Sequence, residues 1–178
     1  MSDRTMKTDV EYLEYAWPMR QFLITTGSIK GKSNIITVSF CMPVSKQPPL
    51  LVCAIGTGFC SAKLINENRE FVVNVPPPEL KRQIYYCGYH SGYDVDKFKE
   101  TGLTPKPARL VNAPIIDECV AHMECKVRQE VETGDKTLFV GEVVEAYADV
   151  ALVRGERGFE HGKGEFPRAR YATRFNLK

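Results

Sequence analysis

Apolar and polar positions alternate with a period of two over most of the chain, the pattern of strands with one buried face. QFLITTG (21–27) is β-branched and aromatic and closes on Gly27. NIITVSF (34–40) follows across the polar turn SIKGKS, so the two predict a hairpin. Within NIITVSF, Ile36, Val38 and Phe40 share one face and Thr37 and Ser39 the other. After CMPVSKQPP, read as a kink, the nearly continuous apolar run LLVCAIG (50–56) predicts a strand buried on both faces and central in its sheet. SAKLINEN (61–68) carries Leu64 and Ile65 three and four residues past Ser61, which predicts a short helix; EFVVNV (70–75) is a further strand, ended by Pro76, Pro77 and Pro78.

PELKRQIYYCG (78–88) has a proline at its start, an acid in its first turn and a glycine at its close, which punctuate a helix, and DVDKFKETG (94–102) repeats that pattern in miniature. Strands return over 115–131 and 136–150, joined by a turn at Thr133-Gly134-Asp135, and a short strand is expected over 170–173. In the first of these, Cys119, Ala121, Met123, Cys125, Val127 and Val131 share one parity. His122, Glu124, Lys126, Arg128 and Glu130 share the other, which predicts a half-buried strand. Six or more strands with short helices inserted, and no repeat or linker, predict a mainly β fold. The expectation is one domain over 1–178, a closed or partly open antiparallel barrel.

Composition narrows the partners. The net charge of +2 arises from 24 basic and 22 acidic side chains spread along all 178 residues, so neither nucleic acid nor an anionic membrane surface is expected. No stretch resembles a secretory leader or a membrane span, and the expected compartment is the cytoplasm. The six cysteines contain no CxxC pair and the three histidines show no ligand spacing with them, so reduced thiols are expected and structural zinc is not. Cys119 and Cys125 are read as small core residues.

Candidate chemistry concentrates in three places. Thr37 and Ser39, followed by Ser45 beyond the turn, form either a solvated strand face or the neutral polar lining that a flavin ring and ribityl chain need. GTGFCSAKLI (56–65) sets two glycines and Ser61 before a helix. Free N–H groups, Thr57, Ser61 and the cation Lys63 suit a phosphate, although a capping serine accounts for the same string. There is no full GxGxxG with a βαβ setting, so a nicotinamide would visit rather than reside. Nothing matches a nucleophile elbow, HExxH or Walker loop, which leaves cofactor-borne chemistry as the open class.

The ordered set NIITVSFCMPVSKQPPLLVCAIG, SAKLI, REFVVNVP, SGYDVDKFKETGL and TLFVGEVVEAYAD, running from about Arg20 to Asp149, resembles the flavin reductase-like family, which includes flavoredoxins and ferric reductases. The resemblance implies an FMN-binding split β-barrel that forms a homodimer with FMN near the interface. It implies an oxidoreductase drawing on NADH or NADPH and delivering electrons to a small-molecule or protein acceptor. On the same grounds Thr37, Val38 and Ser39 would meet the isoalloxazine and ribityl groups, and Ser45 and Ser61 the phosphate. Cys53, Ala54, Ile55 and Gly56 would pack their backbone on the ring. Asn74 is either a family position near the cofactor or a strand-face asparagine bonded to a loop. Many relatives carry a basic residue just before the position of Ser61, where this chain has Thr57-Gly58-Phe59-Cys60. The phosphate charge must then be met by Lys63, the helix end or a partner's cation. CGYHSGYDVDKF resembles the excursion beside the flavin, in which Tyr89, His90 and Tyr93 would shape access, although a surface helix start capped near Ser91 or Asp94 accounts for the same string; the tail with His161 and Arg168 is either a further approach to the site or a solvated end. Two alternatives stand beside the reductase: a flavoredoxin-like electron carrier with little NAD(P)H turnover, and a flavin-free barrel that holds another ligand.

Overall fold

The computed structural model describes residues 8–9, 12–16, 19–150 and 168–169. Seven antiparallel strands form the main sheet: β1 (Phe22–Gly27), β2 (Ser33–Val38), β3 (Cys41–Ser45), β4 (Leu50–Gly56), β5 (Glu70–Val75), β6 (Ala121–Thr133) and β7 (Lys136–Ala148). Their order is β2-β1-β5-β6-β7-β4-β3. Laid flat, β2 and β3 would stand six strand spacings apart, roughly 29 Å. Only Ser39 and Phe40 separate them in the chain, a link of about 10 Å at most. The sheet must therefore roll until its two edges meet. The result is the partly open antiparallel barrel expected from the pattern and the split barrel that the resemblance implies, open along the line where β2 and β3 are joined by chain and not by a ladder.

The interior is filled by the inward positions of every strand, among them Ile24, Val38, Cys53, Phe71, Cys125 and Phe139. Helix α1 (Cys60–Asn68) plugs one end with Ala62 and Ile65. The outer face of β1 and β2 is covered by α2 (Lys81–Tyr89) and α3 (Lys97–Thr101). Leu23 and Ile35 there meet Ile84, Cys87 and Phe98. Gly27 holds φ at +87°, and a Cβ there would stand 2.1 Å from the Lys32 carbonyl oxygen, so the hairpin closes only on glycine.

Several elements differ from the pattern. β4 has one neighbour between it and the sheet centre and one at the edge, and it alternates buried and half-buried residues. Leu51, Cys53 and Ile55 point in, while Val52 and Ala54 point out. It is thus neither central nor buried on both faces. The kink CMPVS is strand β3, laddered to β4. Strand β2 ends at Val38 and the alternation breaks over the next two residues. Val38 packs inward, Cys41 packs against the same core, and Ser39 and Phe40 between them are half-buried at a bend. Phe40 therefore does not share the face of Ile36. Cys119 and Cys125 also part company: Cys119 precedes β6 and joins the cluster under α2, whereas Cys125 faces the barrel interior. The polar parity of β6 is buried at its start, His122 at 6% exposure and Glu124 at 0%. The expected strand over 170–173 lies outside the described residues, as does His161; Arg168–Ala169 pairs with Met19–Arg20. Among the described residues no helix is long and apolar enough to cross a membrane.

Candidate functional site

The bend at Ser39–Phe40 creates a corner where four segments converge. The Ala54 N–H donates to the Phe40 carbonyl at 2.8 Å, which brings the end of β4 against the bend. Gly56, two residues on, stands opposite Lys136 at the start of β7, and the Thr57 N–H donates to the Asp135 carbonyl at 3.2 Å. The Lys136 ammonium lies 5.9 Å from the centre of the Phe40 ring and 2.9 Å from the Asp135 carboxylate. That contact holds the Asp135 carboxyl below its ordinary range. Ser39, Phe40, Ala54, Gly56 and Lys136 thus surround one outward-facing surface. Its floor carries the two smallest outward residues of β4. A Cβ on Gly56 would stand 3.1 Å from the Phe59 ring, so glycine lets that half-exposed aromatic ring lie on the strand.

Chemically the corner offers the small outward side chain of Ala54 flanked by the Phe40 and Phe59 rings, with a cation, Lys136, at its rim. β2 is laddered on one side only, to β1, so along its other edge every second residue, one of Thr37 and Val38 at its end, turns its main-chain groups away from the ladder. By contrast β4 is laddered on both sides. Cys53, Ala54 and Ile55 then supply a packing surface and no free donors, with Cys53 and Ile55 side chains in the core.

The remaining expected residues are dispersed. Thr37 donates its hydroxyl to the Ile84 carbonyl at 2.6 Å and so ties β2 to α2. Ser45 pairs with Leu50 at the far end of β4. Six residues of strand, roughly 20 Å, then separate it from Gly56 and the turn that leads to Ser61. Ser45 and Ser61 therefore cannot grip one phosphate from a single chain. Ser61 is 1% exposed and accepts a hydrogen bond from Asn34 Nδ2 at 2.9 Å, so its hydroxyl is engaged in a buried polar contact. Lys63 is exposed and pairs loosely with Glu67 at 3.8 Å.

Asn74 lies three strands from β4 and is fully buried. Its Nδ2 donates to the Leu23 carbonyl and to Thr25 Oγ1, both at 3.0 Å. Its Oδ1 accepts from the Ile116 N–H at 3.1 Å and from His122 Nδ1 at 2.9 Å. With Oδ1 an acceptor, the His122 proton sits on Nδ1, and burial pulls that imidazole below its ordinary pKa. Next to it, buried Glu124 accepts from the N–H groups of Arg109 (2.7 Å) and Leu110 (2.6 Å) and from the Tyr147 hydroxyl (2.8 Å). These bonds fasten the 108–116 segment to the barrel wall. Asn74 joins the same segment through the Ile116 N–H.

The excursion after α2 also has a definite place. His90 stacks on Tyr86 with ring centres 3.8 Å apart and Nδ1 3.0 Å from the Tyr86 carbonyl oxygen. Tyr89 is 72% exposed. Tyr93 lines a cavity of about 430 Å³ with Lys32, Ser33, Asp94, Asp96 and Phe98. That cavity adjoins the start of β2, whereas Ser39 follows its end, so cavity and corner are separate. Lys136 escaped the sequence reading altogether. The signal available was its place directly after the Thr133-Gly134-Asp135 turn, but its approach to Gly56 depends on the β4–β7 register.

Comparison with known proteins is consistent across sequence and structure. Residues 15–162 match the model of the flavin reductase like domain. An uncharacterized protein of Archaeoglobus fulgidus is 43% identical over 135 residues, 76% of this chain and 75% of that one. A flavin reductase (NADH) of Kitasatospora aureofaciens is 32% identical over 131 residues, covering 72% of this chain and 65% of its own. The crystal structure of a flavoredoxin from Methanosarcina acetivorans superposes with a TM-score of 0.77 at 29% identity, over 84% of this chain and 79% of that one.

Proposed function

This chain belongs to the family of flavin reductase-like domains, and from that premise we propose that it is an oxidoreductase that binds FMN and passes electrons from NADH or NADPH to free flavin, ferric iron or a redox protein. The observation that carries this reading is the corner at Ser39, Ala54, Gly56 and Lys136. A flat, narrow, partly apolar ligand with an anionic tail needs a floor without bulky side chains, edge main-chain groups to orient it, and a cation. The chain supplies each. When bound, FMN supplies the electron-transfer chemistry. The free edge of β2 orients the ligand, Ala54 and Gly56 support it, Phe59 shields it from water, and Lys136 or Lys63 meets its phosphate in place of the missing basic residue before Ser61.

The outer face beside this corner supports the homodimer. Met42, Val44 and Val131 are 60%, 47% and 48% exposed, next to half-buried Val52, Leu138 and Val140. Such an apolar strip on β3, β4, β7 and β6 is suited to a second copy. Light scattering should give twice the 20.1 kDa chain mass; a monomer would remove this part of the reading. Free thiols at all six cysteines fit a reducing cytoplasm.

The deciding experiment is the visible spectrum of protein mixed with FMN and desalted, then followed anaerobically with NADPH and with NADH. Retained bands that bleach within seconds support the reductase. Retained bands that persist favour the electron carrier, a reading supported by the likeness to a flavoredoxin. Loss of all flavin would refute both. Lys136→Gln should weaken FMN retention about tenfold, and Ser39→Ala should weaken it without unfolding the barrel.

A further inference from the structure

Six cysteines are spread over this chain, and two of them meet. Cys41 on β3 and Cys53 on β4 are direct cross-strand partners, and their sulfurs are 2.9 Å apart. The adjacent pair, Phe40 and Ala54, exchanges a main-chain hydrogen bond, so Cys41 and Cys53 occupy the non-hydrogen-bonded site of the ladder. At such sites the Cα atoms approach to about 4.5 Å and the side chains converge, which falls inside the roughly 4.4–6.8 Å that a disulfide spans. To reach a bond length of about 2.05 Å the sulfurs need to close by a little under 1 Å, a matter of side-chain rotation. The two also differ in access: Cys41 is half-buried and Cys53 fully buried.

We propose that Cys41 and Cys53 are a redox-active dithiol, which a hydroperoxide converts to an intramolecular disulfide between β3 and β4. Their exposure assigns the roles. Cys41, half-buried, is the sulfur that a peroxide can reach, and Cys53 lies fully buried against it. Burial pushes the Cys53 thiol well above its ordinary value, with the Cys41 contact and the charge of Cys125 acting in the same direction. Cys53 therefore keeps its proton until a leaving group can take it.

In the first step the Cys41 thiolate attacks the peroxide oxygen. A sulfur–oxygen bond forms, the O–O bond breaks, and the alkoxide or hydroxide takes a solvent proton to leave as alcohol or water. In the second step the Cys53 sulfur attacks the Cys41 sulfenic acid. The S–S bond forms, the S–O bond breaks, and the departing hydroxide takes the Cys53 proton as water. Two thiols lose two electrons, and one hydroperoxide is reduced to alcohol and water. The remaining four cysteines are all buried, so none offers an accessible first sulfur. Closure would tie edge strand β3 to β4 beside the corner at Ala54 and Gly56. Because the chemistry needs no flavin, the inference stands or falls apart from the proposed function.

The test uses full-length, flavin-free, freshly reduced protein treated with a few equivalents of hydrogen peroxide, alkylated, and mapped by non-reducing peptide mass spectrometry. The expected result is loss of two of the six thiols, recovered with dithiothreitol, and one linked peptide pair containing Cys41 and Cys53. Cys53→Ser should halt at a Cys41 sulfenic acid that dimedone captures, and Cys41→Ser should keep its thiol titre at the same peroxide dose. The proposal is overturned if folded wild-type protein loses no thiols while urea-unfolded protein does. It is equally overturned if the linked pair contains Cys125 or joins two chains, or if Cys41→Ser loses thiols as fast as wild type.

Discussion

Replacing Asn74 by leucine tests the account of the barrel wall and of the flavin corner at once. Leucine keeps the branched outline of asparagine but is bulkier, so some overpacking at this fully buried site adds to the cost. What changes is the acceptor at the centre of the network, since the Ile116 N–H and the His122 Nδ1–H both end on Asn74 Oδ1. Each is left buried without a partner, at about 1–3 kcal/mol apiece. The total, about 2–6 kcal/mol, is a large share of the 5–15 kcal/mol by which domains are usually stable. With a urea dependence of about 2 kcal/mol/M, the unfolding midpoint should fall by about 1–3 M. Equilibrium unfolding by far-ultraviolet circular dichroism measures it. His122→Phe in the Asn74→Leu background should cost less than the two single losses summed, by about 1 kcal/mol or more, because the imidazole no longer needs an acceptor. FMN affinity of the folded fraction should be unchanged, as Asn74 is three strands from β4. A midpoint within about 0.3 M of wild type, or a stable variant that loses flavin, would refute the structural role.

Two further outcomes follow from the same packing. A Cβ at Gly141 would stand 2.6 Å from Cζ of Phe71, itself 0% exposed, and 3.0 Å from the Cys125 Cβ. Gly141→Ala should therefore cost about 1–3 kcal/mol and lower the melting temperature by about 2–4 °C per kcal/mol; an unchanged or higher melting point would show that the ring yields freely. His122 titrates below 6.5 when folded because burial disfavours its cation, so the unfolded chain binds a proton more readily. Stability from this group is complete above pH 6.5 and is lost as pH falls from there through the folded value. Urea midpoints between pH 7.5 and 5 should fall less steeply in His122→Phe than in wild type; equal slopes would remove His122 as a source of the dependence.

The hydrophobic period by itself determined most of the fold. Strands read over 21–27, 34–40, 50–56, 70–75, 115–131 and 136–150 each overlap an observed strand, because side-chain alternation and turn residues are local properties, and Gly27 and Gly134 mark backbone positions with positive φ. Roll-up of the sheet was legible in outline, since so many short antiparallel strands cannot leave their edges bare. The string of segments that resembles the flavin reductase-like family was equally visible.

What only the tertiary structure decided is register and face. Ser45 and Ser61 look like partners in the sequence, and the β3–β4 ladder sets Ser45 roughly 20 Å of strand away from Gly56 and the turn that leads to Ser61. Lys136 looks like a turn residue, and the β4–β7 ladder brings it to Gly56. Cys41 and Cys53 show no motif, yet they are direct neighbours across two strands. His122 and Glu124 carry the solvent parity of β6, and the 108–116 segment folds over them and makes them interior. In each case the deciding contact joins residues distant along the chain. Periodicity reports which side of a strand is apolar, but which strand lies beside it, and at what offset, is set by the closure of the whole barrel.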